Sequence, residues 1–214
     1  MMKTLNRVIY ILTAADILLV AAFGFIMPFF AIFITEQIPG AGVATVGFFT
    51  AIYWISKSVF QLPIAWFLDK TEGEFDELHA LIFGYLLSSL VAFGYIFADQ
   101  VWHIYTLATI IGFGDALGVP PFLAIFSRHL DRARANTQWT LHSVGVGLAS
   151  AASGALAGIL VQKFGFNSVF ILGGVLSFVA ALSLLFLKPY LRTTNGKLVI
   201  PPTHKTKPHQ KSVL

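Results

Sequence analysis

The chain has 214 residues, of which 57% are hydrophobic and only 11% are charged. Because ordinary soluble domains carry about 25% charged residues, this much apolar surface excludes a single soluble core of that length. The formal net charge is +4, and the absence of cysteine excludes disulfides and thiolate metal sites while leaving the redox compartment open.

Six long apolar runs follow one another along the chain, and the polar breaks between them leave no room for a soluble domain. Each run is about 20 residues or longer, enough to cross ~30 Å of hydrocarbon at ~1.5 Å per helical residue. The runs are continuously apolar rather than alternating, which favours helices over the strands of a membrane β-barrel. The sequence therefore predicts an all-α membrane protein with spans at residues 7–34, 43–68, 78–97, 101–127, 138–162 and 167–187.

The two ends of the chain differ from the spans. Lys3 and Arg7 before an apolar run are typical of a signal sequence, but this run is too long and contains Asp16, which predicts an uncleaved first helix. We divide the chain into a transmembrane domain, residues 1–190, and a basic tail, residues 191–214, which we expect to be disordered.

Lysine and arginine lie almost entirely on one side of the predicted bundle. On the opposite side only Lys163 lies near a span end. Such an excess marks the cytoplasmic side, so we expect a protein of the cell (inner) membrane with both termini in the cytoplasm, as an even number of spans requires. The basic residues on the terminal side are Lys3, Arg7, Lys70, Arg128, Arg132, Arg134, Lys188 and Arg192.

Four ionisable side chains lie within the predicted spans: Asp16, Lys57, Asp115 and His142. Placing a charge in a bilayer costs about 2.5–3.5 kcal/mol on insertion scales, so such residues normally face an internal cavity or a partner. We treat all four as candidate substrate or ion ligands. The alternative is that they form satisfied pairs whose only role is to hold the bundle together.

The second span also carries a polar stripe at helical spacing, formed by Thr50, Trp54, Lys57 and Gln61. The stripe predicts that this face of the helix looks inward. We therefore add Trp54 and Gln61 to the candidate binding residues.

Helix-breaking residues occur in two of the spans: Gly24 and Pro28 in the first, and Gly118, Pro120 and Pro121 in the fourth. Proline removes a backbone hydrogen bond and bends a helix, and the freed carbonyls tend to line cavities. Interruptions at corresponding places in two halves of a bundle indicate a transport site. A simple kink for packing is the alternative.

Two stretches in the second half of the chain resemble a known family. They are IIGFGDALGVPPFLAIFSRHLDRARANTQW, residues 110–139, and GALAGILVQKFGFNSVFILGGVLSF, residues 154–178. The first resembles the glycine-rich fourth helix and basic cytoplasmic loop of the major facilitator superfamily of transporters, and the second resembles the junction of its helices five and six. The resemblance extends over about residues 7–188, which corresponds to one six-helix half of such a transporter.

The loop after the second span departs from the family pattern G-x-L-A-D-R-x-G-R-R. Asp69 and Lys70 keep their places and are candidate gating-loop residues, whereas Ala65 replaces the glycine and residues 72–74 replace the glycine-and-basic end. Gly154 stands where the antiporter members have a proline in helix five, so the motif does not imply proton antiport.

The resemblance implies a geometry for the ionisable residues. In the family, each half is a 3+3 inverted repeat in which helices one and four line the cavity, two and five flank the opposite half, and three and six face lipid. The second helix packs near the fourth and the first near the fifth. Lys57–Asp115 and Asp16–His142 are therefore the expected pairs.

The resemblance also implies a secondary transporter of an unknown small solute, with ion or proton coupling. A single six-helix half would be completed as a homodimer surrounded by membrane lipid. No H-E-x-x-H, G-x-S-x-G or metal-ligand spacing is present, so we expect no enzymatic activity, no cofactor or metal, and no nucleic-acid partner. The alternatives are a non-transporting accessory or assembly subunit and a truncated relic.

Overall fold

The structure, a computed structural model, describes residues 7–70 and 73–191. This part of the chain forms six long helices, each of which is long and apolar enough to span a membrane. They are α1 (Arg7–Gln37), α2 (Val43–Leu68), α3 (Phe75–Gly94), α4 (Val101–His129), α5 (Ala135–Phe164) and α6 (Phe166–Ser183). Turns of 3₁₀ helix extend α3 over Tyr95–Phe97 and α6 over Leu184–Tyr190. The predicted all-α architecture with six spans is confirmed.

Several helices extend beyond the predicted spans at one or both ends. Helix α3 begins at Phe75 rather than at residue 78, and α4 continues to His129. Hydropathy marks only the part of a helix that lies in hydrocarbon, whereas the backbone hydrogen bonds continue into the interfacial region. The predicted basic tail lies, apart from Leu191, outside the described residues.

The helix packing has an internal symmetry. Helix α1 packs against α5 and α6, α4 packs against α2 and α3, and α3 packs against α6. This set of contacts is unchanged when the first three helices are exchanged for the last three. Because α1 and α4 cross the bundle in opposite directions, the two triplets form the predicted 3+3 inverted repeat.

Two apolar clusters fill the two ends of the bundle. We call the end that contains Arg7 and the last turns of α2 and α4 the terminal face, and the end that contains the α1–α2 and α3–α4 connections the opposite face. Leu12, Leu81 and Phe126 belong to the cluster near the terminal face. Phe30 and Tyr95 belong to the cluster near the opposite face. The Lys57–Asp115 pair described below lies between the two clusters.

The residues predicted to break helices do not do so. Helix α1 is continuous through Pro28, and α4 is continuous through Pro120 and Pro121. Each proline removes one hydrogen bond, and the remaining bonds keep the helices of 31 and 29 residues continuous. Gly24 lies directly against Ser153 of α5, which favours a packing role in α1.

Candidate functional site

Both expected acid–base pairs are formed within one chain. Lys57 Nζ of α2 lies 3.1 Å from Asp115 Oδ2 of α4. His142 Nε2 of α5 lies 2.7 Å from Asp16 Oδ2 of α1. Because α2 corresponds to α5 and α4 to α1 in the inverted repeat, the two pairs are symmetry-related in the fold.

The Lys57–Asp115 pair includes a tyrosine. The Tyr53 hydroxyl donates a hydrogen bond to Asp115 Oδ2, and Lys57 Nζ also donates to the Tyr53 hydroxyl oxygen at 3.2 Å. The same ammonium lies 5.1 Å from the centre of the Trp54 ring, close enough for a cation–π contact. All hydrogen bonds to Asp115 from the described residues therefore reach one oxygen, Oδ2, while Oδ1 accepts none.

A glycine in α4 lets α2 come close enough for this pair. A Cβ atom added at Gly112 would lie 2.6 Å from the backbone oxygen of Tyr53 and 3.1 Å from the backbone nitrogen of Lys57. Backbone atoms cannot rotate away from such a clash as a flexible side chain can. Only glycine at residue 112 therefore permits this close packing of α4 on α2.

In the second pair, unlike the first, both oxygens of the aspartate have partners. Asp16 Oδ2 contacts His142, and Asp16 Oδ1 accepts a hydrogen bond from the Tyr85 hydroxyl at 3.2 Å. The His142 ring lies among aromatic rings, with ring centres 5.5 Å from Phe122 and 5.9 Å from Trp139. Both carboxylate oxygens of Asp16 thus have partners.

Two cavities meet at Asp115. The carboxylate cavity, about 210 Å³, lies toward the terminal face. Its lining residues are Asp16, Leu19, Gly84, Tyr85, Ser88, Gly114, Asp115, Gly118, Val119, Phe122 and Leu123. The aromatic cavity, also about 210 Å³, lies toward the opposite face. Its lining residues are Phe23, Met27, Phe49, Tyr53, Tyr95, Ile111 and Asp115. Asp115 therefore borders both cavities.

The polar stripe of α2 is only partly buried within one copy of the chain. Lys57 is mostly buried, but Trp54 is 55% exposed on the outer surface of the chain. Thr50 is exposed as well, and its hydroxyl donates to the backbone oxygen of Val46 in its own helix. Gln61 is half-buried and lines neither cavity. The stripe is wider than the contact with α4, so only its Lys57 edge reaches the interior.

A cluster of charged residues near the terminal face was missed in the sequence. Arg128 of α4 forms an ion pair with Glu77 of α3 and lies 3.6 Å from Glu74. His129 Nε2 lies 3.1 Å from Glu74. We call these four residues the α3–α4 charge cluster. Two sequence features could have indicated this cluster. Acidic residues replace the basic end of the family's loop after the second span, and basic residues end the fourth span.

The two candidate gating-loop residues lie outside this cluster. Asp69 caps the end of α2 and is exposed, and the described part of the chain contains no ion pair to it. Lys70 is exposed and its ammonium lies 3.1 Å from the centre of the Trp66 ring. Neither residue contacts the Lys57–Asp115 pair.

The chain can now be compared with known proteins. Its sequence matches the Major Facilitator Superfamily over residues 12–212. Its fold is similar to the in meso crystal structure of the POT family transporter PepTSo, with a TM-score of 0.74 and 18% sequence identity over 95% of this chain. The chain spans only 40% of the length of that protein. Since the family match extends over nearly the whole chain and six helices can cross a bilayer, this is a multi-pass membrane protein that belongs to the Major Facilitator Superfamily.

Proposed function

We propose that the protein is a secondary transporter that moves a small solute across the membrane. The observation that carries the proposal is the position of Asp115, which is paired with Lys57 at the depth of the spans and borders two cavities. Ionisable residues at this depth mark ion or substrate pathways. The family and the fold are those of transporters rather than enzymes.

In this proposal, Asp16 and Asp115 bind and release a proton or another cation. Each has a basic partner within hydrogen-bonding distance, His142 or Lys57. Such a partner neutralises the carboxylate when the coupling ion is absent, so the bundle never holds an isolated charge in hydrocarbon. Lys57 serves as the counter-charge to Asp115.

The working unit in this proposal is a homodimer. In the most apolar stretches of α2 and α5 only 17% and 11% of the residues are buried, against 44–50% in the other four helices. The poorly buried helices are the two that the family places against the opposite half. A second copy would cover them, and a two-fold axis along the membrane normal is the arrangement that relates the halves of full-length family members.

The proposed orientation places the terminal face in the cytoplasm of an inner-membrane protein. Described basic residues at that face include Arg7, Lys70, Arg128 and Lys188, whereas Lys163 lies at the opposite face. An excess of lysine and arginine near span ends marks the cytoplasmic side.

Flux into proteoliposomes tests the transport proposal. With a pH-sensitive dye and a panel of solutes, we expect transport by the unaltered protein and its loss, tenfold or more, in Asp115→Asn and in Lys57→Ala. Asp99→Asn is the matched control, because that side chain is 74% exposed in a connection between helices. Uptake and efflux that remain unchanged in both variants would contradict the assigned roles.

One observation favours a second function. Both acid–base pairs are complete within a single chain, as they would be if they only stabilised an accessory or assembly subunit of another membrane protein. That function predicts no flux of any solute and a stoichiometric complex with a different protein. Crosslinking in native membranes followed by mass determination separates this complex from a self-pair.

A further inference from the structure

The two aspartates of the bundle offer different binding capacity to a ligand. Both oxygens of Asp16 have partners, namely His142 and Tyr85. Asp115 Oδ1 accepts no hydrogen bond from the described residues, although the two side chains are almost equally exposed, 20% for Asp115 and 19% for Asp16. No fully buried side-chain polar atom in the described part of the chain lacks a partner, so Oδ1 faces open space. An unoccupied carboxylate oxygen beside a cavity attracts a hydrogen-bond donor with positive charge.

The aromatic cavity beside Asp115 has walls that suit a cation with an apolar body. Phe23, Phe49, Tyr53 and Tyr95 contribute aromatic rings, and Asp115 is the only ionisable acid or base among its lining residues. Faces of aromatic rings attract cations, and a carboxylate adds a direct counter-charge. An anion entering this cavity would meet the Asp115 carboxylate before it reached Lys57, which does not line it.

A second polar atom in the aromatic cavity has no partner. Tyr95 is only 3% exposed, yet its hydroxyl has no hydrogen bond to any residue of the described ranges 7–70 and 73–191. Because fully buried unpartnered polar atoms are absent from those ranges, this hydroxyl also faces open space. The aromatic cavity is therefore lined by one carboxylate side chain, Asp115, and by the side chain of Tyr95.

The cavity volume limits the size of the ligand. Its volume is about 210 Å³, whereas a protein cavity of about 150 Å³ holds benzene. One ring with a short alkyl chain therefore fits, and a drug-sized ligand does not fit within one copy.

We infer that the aromatic cavity binds a small primary ammonium ion with an apolar or aromatic body, its nitrogen on Asp115 and its body against Phe49 and Tyr95. The inference rests on the proposed transport function, because it names the solute class of that same site. The bound ammonium takes the free oxygen Oδ1, and repulsion between the two cations moves Lys57 away from its position on Oδ2. Asp16 takes no part in binding this ligand.

Equilibrium binding to the purified full chain tests the inference, with labelled phenethylamine as the probe and 3-phenylpropionate as its anionic counterpart. We expect saturable binding of the amine alone. Asp115→Asn should weaken amine binding about 30-fold or more, since it removes the charge. Lys57→Met should leave amine binding unchanged or tighten it, because the competing ammonium is gone. An anion site would give the opposite order, with loss in Lys57→Met, and this result would overturn the inference.

Matched phenylalanine variants identify the cavity. Phe49 lines only the aromatic cavity and Phe122 only the carboxylate cavity, and both are 8% exposed. Phe49→Leu should weaken amine binding about 3- to 10-fold, the range of one aromatic–cation contact, and Phe122→Leu should not change it. The reverse pattern would place the amine beside Asp16 and overturn the assignment.

Two further readouts keep the outcomes distinct. Displacement of Lys57 should change the fluorescence of Trp54, whose ring lies 5.1 Å from the ammonium, and the change should be absent in Lys57→Met. If Asp115→Asn is unstable, the double variant Lys57→Met with Asp115→Asn removes both charges and should also fail to bind. Amine binding without flux of any solute would contradict the transport proposal but not the amine site. Flux of another solute without amine binding would overturn the amine site but not the transport proposal.

Discussion

At the scale of single residues, Asp16 and Asp115 occupy related places in the repeat but are used differently. Asp16 is held by a histidine and a tyrosine on separate oxygens. Asp115 is held by a lysine and a tyrosine on the same oxygen. Hydrogen bonds to both oxygens hold the Asp16 carboxylate in place. One oxygen of the Asp115 carboxylate remains available to a ligand. Of the two aspartates, only Asp115 therefore has an oxygen without a partner among the described residues.

The Asp16–His142 pair should contribute to stability more than to binding. Replacing His142 with alanine leaves Asp16 with one partner in an apolar setting, so we expect a loss of about 1–3 kcal/mol in the free energy of unfolding. Asp16→Asn keeps the hydrogen-bonding shape and should lose less. Thermal unfolding in detergent measures both.

A double-mutant cycle provides the control for this prediction. The variant with Asp16→Asn and His142→Ala should be more stable than the sum of the two single changes implies, because neither leaves a charge unpaired. Simple additivity would show that the two residues do not interact in the folded protein.

The sequence was sufficient to predict which residues carry charge into the membrane, because lysine and aspartate are rare in apolar runs and stand out by identity alone. The pairing of Lys57 with Asp115 required the family geometry, since the two residues are 58 positions apart. The orientation of Trp54 could not be predicted. A helical stripe gives an angle around the axis, but it does not say how much of that angle the neighbouring helix covers.

At the scale of helices, the α3–α4 charge cluster fixes one end of two spans. Glu74 is 1% exposed, and its carboxylate faces both Arg128 and His129. The cluster joins the start of α3 to the last turn of α4, near the terminal face. Since the connection between α2 and α3 is short, a movement of this cluster would also move the end of α2.

Charge reversal tests the role of this cluster. Glu77→Arg places a second cation beside Arg128, and we expect it to lower the free energy of unfolding by about 1–3 kcal/mol. Adding Arg128→Glu restores opposite charges at this pair but places a second carboxylate beside Glu74, so it should recover only part of the loss. Thermal unfolding of the single and double variants measures the effect, and equal stability of Glu77→Arg and the unaltered chain would refute it.

The six helices could be predicted from the sequence, but the effect of their prolines and the sites of close helix approach could not. Continuous apolar runs specify spans because lipid leaves the backbone no other hydrogen-bond partners. Prolines were misleading, since a long helix tolerates one lost hydrogen bond and Pro28 packs close to Gly154 of α5. Close approaches such as that of Gly112 to α2 depend on which helices are neighbours, which a single span does not show.

At the scale of the whole molecule, α2 and α5 have apolar surfaces that no other described helix covers. Leu62 of α2 is 78% exposed, and Leu148 of α5 is 67% exposed. The described part of the chain holds nothing that covers them. Lipid can cover such surfaces, and so can a second copy, and the homodimer proposal depends on the second copy.

Cysteine crosslinking distinguishes these two coverings. The chain contains no cysteine, so a single introduced cysteine has a unique reaction site. We expect Leu148→Cys and Leu62→Cys to give a covalent dimer of twice the chain mass with a short bifunctional reagent in membranes. Leu90→Cys on α3, which is 58% exposed, should not. Equal crosslinking at all three positions would indicate random collision rather than a specific dimer.

Both acid–base pairs also join one triplet of the repeat to the other, and this has a consequence for synthesis of the protein. His142 follows Asp16 by 126 residues, so at about 5–20 residues per second the ribosome takes roughly ten seconds to supply it. For at least part of that interval, Asp16 and Lys57 are in the bilayer without their partners, His142 and Asp115. We therefore expect the nascent chain to keep Asp16 shielded from lipid until the fifth helix is inserted.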